Sequence, residues 1–145
     1  MLVMKKLIIL LAILSTGFIS CKKDKATPTG ETENLALENA TVIAAGDLSF
    51  SSKTNTGSAK IYRQETGKYV LGLEKMNLNI GASLFIFLSQ SKTVSSSTAI
   101  KISSVINLYG DVFQALPSNI DFALYKYLII QTEISEEIVA SAELN

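Results

Sequence analysis

The sequence contains no histidine and no tryptophan, and Cys21 is its single cysteine. Without histidine there is no Ser-His-Asp or Cys-His relay. Haem would lack its His ligand, and a blue-copper site would lack its His pair. A zinc site would have neither imidazole nor a second thiolate. One cysteine makes no internal disulfide, so the domain must be held by packing. No Gly-rich phosphate loop is present, and proline occurs only at Pro28 and Pro117.

Charge of either sign is scarce as well, with 13 basic and 13 acidic residues in 145. Lys5 and Lys6 belong to an N-terminal leader. Without it the basic count falls from 13 to 11 and the net charge is about −2. That balance carries no electrostatic footprint for nucleic acid.

The leader is the most legible segment. Lys5 and Lys6 precede an apolar run, Leu7–Ile19, which Phe18-Ile19-Ser20-Cys21 closes before the polar Lys22-Lys23-Asp24-Lys25. This is the layout of a bacterial secretory signal. The run is shorter than the roughly 20 residues that span a hydrocarbon core. A small residue before a cysteine resembles a lipobox, although Phe18 stands where leucine is usual. The expectation is a signal peptide over residues 1–20, cleavage at Cys21, and acylation of its thiol with diacylglycerol and palmitate-type chains. A signal peptide cut elsewhere, leaving Cys21 a free thiol, is the alternative.

Residues 21–40 are polar and aperiodic and read as a flexible tether from the lipidated cysteine. Such a linker spans roughly 25 Å root-mean-square. A short amphipathic helix over Glu33–Ala40 is a second reading of its end. From residue 41 to 145, short strands alternate with turn residues. Thr41–Ala45 is ended by Gly46, Leu48–Ser52 follows, and Ser51–Gly57 is a polar turn region. In Ser58–Arg63, Ala59 and Ile61 share one face, with Lys60 and Tyr62 opposite. Glu65-Thr66-Gly67 leads into Lys68–Glu74, where Tyr69, Leu71 and Leu73 share a face, and the two runs predict an antiparallel hairpin.

Ser83–Ser89 is apolar on both faces, as in a strand buried on both sides. Ser91–Thr98 is a Ser/Thr-rich loop, and Ala99–Leu108 alternates again. Asp111–Leu116 is ambiguous and stops at Pro117. Ile120–Tyr125 leads into Tyr127–Thr132, and Ile138–Leu144 closes the chain as a strand. The segment from Ser135 also resembles a helix cap followed by a helix. The pattern predicts an all-β fold, an antiparallel, jelly-roll-like β-sandwich.

Several pieces of residues 44–144 resemble the DM-thirteen domain, a family labelled as an electron-transfer domain and found with DOMON modules. They are Gly46-Asp47-Leu48, Thr56–Ile61, Tyr69–Glu74, Gly81–Ser89, Gly110–Pro117, Ile120-Asp121, Tyr125–Ile130 and Ala140–Leu144, in that order. The resemblance implies a β-sandwich and a redox role resting on a Trp-Cys pair near the end. Ile130 and Gln131 occupy that place here, and Gly81-Ala82-Ser83 lacks the family's acidic residue. A thiolate does exchange chemistry because sulfur is polarizable and ionisable. Gln131 offers only amide hydrogen bonds.

Other candidates are weaker. Glu133, Glu136 and Glu137 cluster in sequence, and paired carboxylates can hydrolyse glycosides. They read more simply as a solvated acidic edge. Asp47, Asp111 and Asp121 carry oxygen ligands suited to calcium, without EF-hand spacing. Tyr62, Tyr69, Tyr109, Tyr125 and Tyr127 would suit a sugar-binding face or, more simply, a core.

The expected function is a non-enzymatic binding or interaction module of the cell envelope. It would be anchored in the outer-membrane bilayer through acylated Cys21, with a protein or glycan partner and no cofactor. The basic Lys22-Lys23-Asp24-Lys25 favours the periplasmic leaflet. The alternative is an accessory of an envelope electron-transfer chain.

Overall fold

A computed structural model describes residues 37–145. The leader, Cys21 and nearly all of the tether lie outside the described residues. Nine strands follow: β1 Thr41–Asp47, β2 Ser49–Phe50, β3 Thr56–Arg63, β4 Tyr69–Leu78, β5 Leu84–Ser89, β6 Ala99–Val105, β7 Leu108–Leu116, β8 Tyr127–Thr132 and β9 Ile138–Glu143. They form a four-stranded sheet, β1-β3-β4-β7, and a five-stranded sheet, β2-β9-β8-β5-β6, with every pairing antiparallel. The fold is an all-β sandwich. Three connections are hairpins within a sheet, and the others cross from one sheet to the other.

Period-two alternation builds the core, because successive side chains point to opposite faces of a strand. Ala59, Ile61, Leu71, Leu73, Leu78 and Leu108 turn inward from the first sheet. Leu84, Ile86, Leu88, Leu128 and Ile130 meet them from the second, and all are buried. Burial of each Leu or Ile contributes about 1.5–3 kcal/mol. The hairpin read from Ser58–Glu74 is present as β3-β4, and Ala59 and Ile61 do face inward.

One corner closes the sandwich. The chain leaves the first sheet at Asp47 and joins the second at Ser49, pivoting on Leu48 in the core. There β1 runs against the end of β9, and Ala45 and Asn145 exchange both backbone hydrogen bonds, each 3.0 Å. Gly46 therefore does not end its strand, as its residue type predicts. It lies inside β1, where an added Cβ would collide with the Glu143 carbonyl oxygen.

One other expectation changes. Ile120–Tyr125 is a turn, because the Asp121 side chain accepts the Ala123 N–H (2.9 Å) and its carbonyl accepts from Leu124 and Tyr125. The turn still serves the core, with Phe122 edge-on to Tyr69 at 4.9 Å. The ambiguous Asp111–Leu116 is the larger part of β7, and Ile138–Leu144 is strand through Glu143. Gly46→Val should lower stability by about 1–3 kcal/mol, the usual cost of overpacking. Denaturant unfolding measures this, and an unchanged midpoint would show that the corner is slack.

Candidate functional site

The two sheets differ in how their outer faces are finished. On the four-stranded sheet, Tyr62 of β3 and Phe113 of β7 meet edge-on at 6.3 Å across β4. Gly72 lies between them, and a Cβ there would press on both rings. Beside this pair the Glu74 carboxylate accepts a hydrogen bond from Lys60 Nζ (2.6 Å) and another from the Tyr62 hydroxyl. The face is closed by its own side chains.

The Lys60 and then the Tyr62 hydrogen bonds hold Glu74 below the ordinary carboxylate value. Burial first, and then its bond to Glu74, push the Tyr62 hydroxyl up. The hydrogen bond to Glu74 likewise raises Lys60.

The outer face of the five-stranded sheet is open only in part, with Phe85 and Phe87 half-exposed and Ser89 and Ile129 buried. The register of β5 on β8 sets Phe85 opposite Gln131, Phe87 opposite Ile129 and Ser89 opposite Tyr127. On the other side Phe87 pairs with Lys101 of β6. Phe85 and Phe87 are half-buried, edge to face with centroids 6.1 Å apart. They line a cleft of about 570 Å³ with Gln131, Lys101 and Ile138. Its walls are Thr93, Val94, Ser95 and Ser96 of the β5–β6 loop, and Glu133 and Glu136 of the β8–β9 turn. Glu136 adopts a left-handed backbone (φ 53°) in that turn. Such a conformation is uncommon for residues other than glycine.

Two polar features define the cleft. The Lys101 ammonium sits 3.5 Å above the Phe85 ring, a cation–π contact. Gln131 is only 7% exposed, yet its amide has no hydrogen-bond partner among the described residues. Among the described residues no buried side-chain N or O atom is both occluded and unpaired. The small exposed part of Gln131 must therefore include its amide, reached through the cleft. Buried polar groups ordinarily find protein partners. The other buried polar residue, Ser89, does so, donating to the Thr93 (2.9 Å) and Thr98 (3.3 Å) carbonyls.

A smaller cleft of about 350 Å³ lies toward the other edge of this sheet. Asp47, Ser49, Lys92, Tyr127, Ser141, Ala142 and Glu143 line it. Lys92 Nζ lies 6.0 Å from the Tyr127 ring centroid. Between the clefts Ile129 is fully buried, although it shares the outward parity of Tyr127 and Gln131.

The structure sorts the sequence candidates. Glu133, Glu136 and Glu137 are exposed, and the first two rim the larger cleft. Asp47, Asp111 and Asp121 are not brought together, and no group of three metal-ligating side chains occurs among the described residues. Asp111 instead accepts the Lys75 backbone N–H at 2.8 Å. The five tyrosines do not share a face: Tyr62 packs on Phe113, Tyr69 and Tyr125 on the core, Tyr109 is exposed, and Tyr127 lines the smaller cleft. Ser83–Ser89, read as buried on both sides, is buried on one, and Phe85 and Phe87 floor the site. The sequence reading missed them because an unbroken apolar run carries no sign of which face is open. No protein-family model matches this chain, and neither a curated protein nor a solved structure matches it.

The charged cluster on the closed sheet has a pH signature. Glu74 titrates lower in the folded state, so its stabilisation is fully present above the unfolded value of about 4.3 and is lost as pH falls through the folded value. Tyr62 and Lys60 titrate higher when folded, so their share is present below about 10 and lost as pH rises. Denaturation profiles should show stability falling below about pH 4.3. Glu74→Gln should weaken that acid dependence, and an unaltered acid limb would contradict the assignment.

Proposed function

We propose that this chain is a non-enzymatic binding module of the bacterial outer membrane, anchored through an acylated Cys21. It presents the outer face of its five-stranded sheet to a ligand. The observation that carries this reading is Gln131, more than nine-tenths buried and without a hydrogen-bond partner among the described residues, in a cleft floored by two phenylalanines. Ligand sites commonly combine apolar walls with a few polar groups, in volumes of about 300–1,000 Å³. Gln131 has no ionisable or redox-active atom, so the cleft fits binding rather than the electron transfer that the DM-thirteen resemblance implies. The leader and tether support the anchor, and Lys22-Lys23-Asp24-Lys25 supports the periplasmic leaflet.

Two experiments separate anchor from site. In cells fed an alkyne-tagged palmitate, the chain should be labelled, and Cys21→Ser should abolish the label and release the chain from membranes. Label that survives Cys21→Ser would contradict the anchor. For the site, carbene footprinting of the full chain in detergent should show Phe85, Phe87 and Lys101 shielded when outer-membrane extract is added. Tyr62 and Phe113 should be unaffected, and equal labelling of both faces would contradict the site.

A further inference from the structure

We infer that the ligand of the open face is a neutral oligosaccharide, an inference that rests on the cleft being a binding site. Its groups match a polyol better than they match other ligand classes. Half-buried Phe87 supplies flat apolar surface for the C–H face of a pyranose, beside the Phe85 ring that carries the Lys101 ammonium. The Gln131 amide is both donor and acceptor in one plane, which suits a pair of adjacent hydroxyls. A wholly apolar ligand would leave that amide unpaired, which is costly once water is excluded.

Charge narrows the class. Glu133 and Glu136 rim the larger cleft, and Asp47 and Glu143 line the smaller. Against these four carboxylates stand Lys101, held on the Phe85 ring, and Lys92, near Tyr127. A polyanion meets a net negative face, whereas a neutral glycan finds donors and acceptors without that repulsion. Shape points to an elongated ligand. Phe85 and Phe87 are two residues apart on β5, and Tyr127 pairs with Ser89, the next outward position. Outward positions on one strand recur about every 6.6 Å. Phe85 and Phe87 thus follow one line along β5, and Tyr127 lies one strand over, beyond the buried Ile129.

The test is affinity electrophoresis of the full chain in a polyoxyethylene detergent, which carries no sugar headgroup. Native gels would contain a neutral polysaccharide (mixed-linkage glucan, xyloglucan, galactomannan or glycogen) or an anionic one (alginate or polygalacturonate). Retardation is expected in at least one neutral gel and in neither anionic gel. Gln131→Leu should weaken it about tenfold, the equivalent of one contact of about 1.4 kcal/mol. Phe87→Leu should also weaken it, and Tyr62→Phe on the opposite sheet should leave it unchanged. The melting temperature of each variant, measured in parallel, separates lost binding from lost folding. Absence of retardation in all four neutral gels, retardation as strong in an anionic gel, or no effect of Gln131→Leu would overturn the inference. If the cleft is still shielded by envelope extract in footprinting while every neutral gel fails, the carbohydrate class falls and the binding site stands.

Discussion

The register between β5 and β8 sets both faces of the five-stranded sheet at once. Ile86 opposite Ile130 and Leu88 opposite Leu128 put four large aliphatic side chains into the core. The same pairing leaves Phe85, Phe87, Tyr127 and Gln131 on the outside, as neighbours. A slip of one residue would exchange the faces, because the side-chain period is two. A slip of β8 against β5 would turn Tyr127 and Gln131 toward the core and Leu128 and Ile130 out of it. Core and cleft are therefore products of one constraint, and the apolar core enforces the geometry of the cleft.

The two outer faces put similar chemistry to different ends. On the four-stranded sheet an aromatic pair, a glycine and a Lys–Glu–Tyr cluster satisfy one another. On the five-stranded sheet the aromatic pair is equally present, but the polar group beside it has no partner among the described residues. Ser89 shows that this sheet does pair a buried polar side chain where a loop can reach it. Gln131 is the exception, and it lies where two phenylalanines and a lysine converge.

Much of the fold was legible because it is local. Alternation in Ser58–Arg63 and Lys68–Glu74, with Glu65-Thr66-Gly67 between them, specifies a hairpin without reference to the rest of the chain. The site was not legible for the opposite reason. Phe85 meets Gln131 only through a pairing of segments distant in sequence, and no local pattern marks that pairing. Leu84–Leu88 is apolar throughout, so sequence alone could not say that its aromatic members face outward. In the sequence Gln131 stood out only as a residue without a thiol, and its burial beside Phe85 is visible only in the folded chain. Gly46 misled in a different way. Glycine favours turns through its free backbone, but here its missing side chain is what matters, since β9 passes too close for a Cβ.

In the proposed binding role Gln131 is kept for a ligand and not for the fold. Thermal unfolding of Gln131→Leu, free of ligand, tests this most directly. Leucine keeps much of the side-chain volume and removes an amide that no described residue satisfies. The expected midpoint equals wild type or lies a few degrees higher, since roughly 1 kcal/mol corresponds to about 4 °C in a domain of this size. A midpoint lowered by about 4 °C or more would show that the amide holds the structure together, and would contradict the claim.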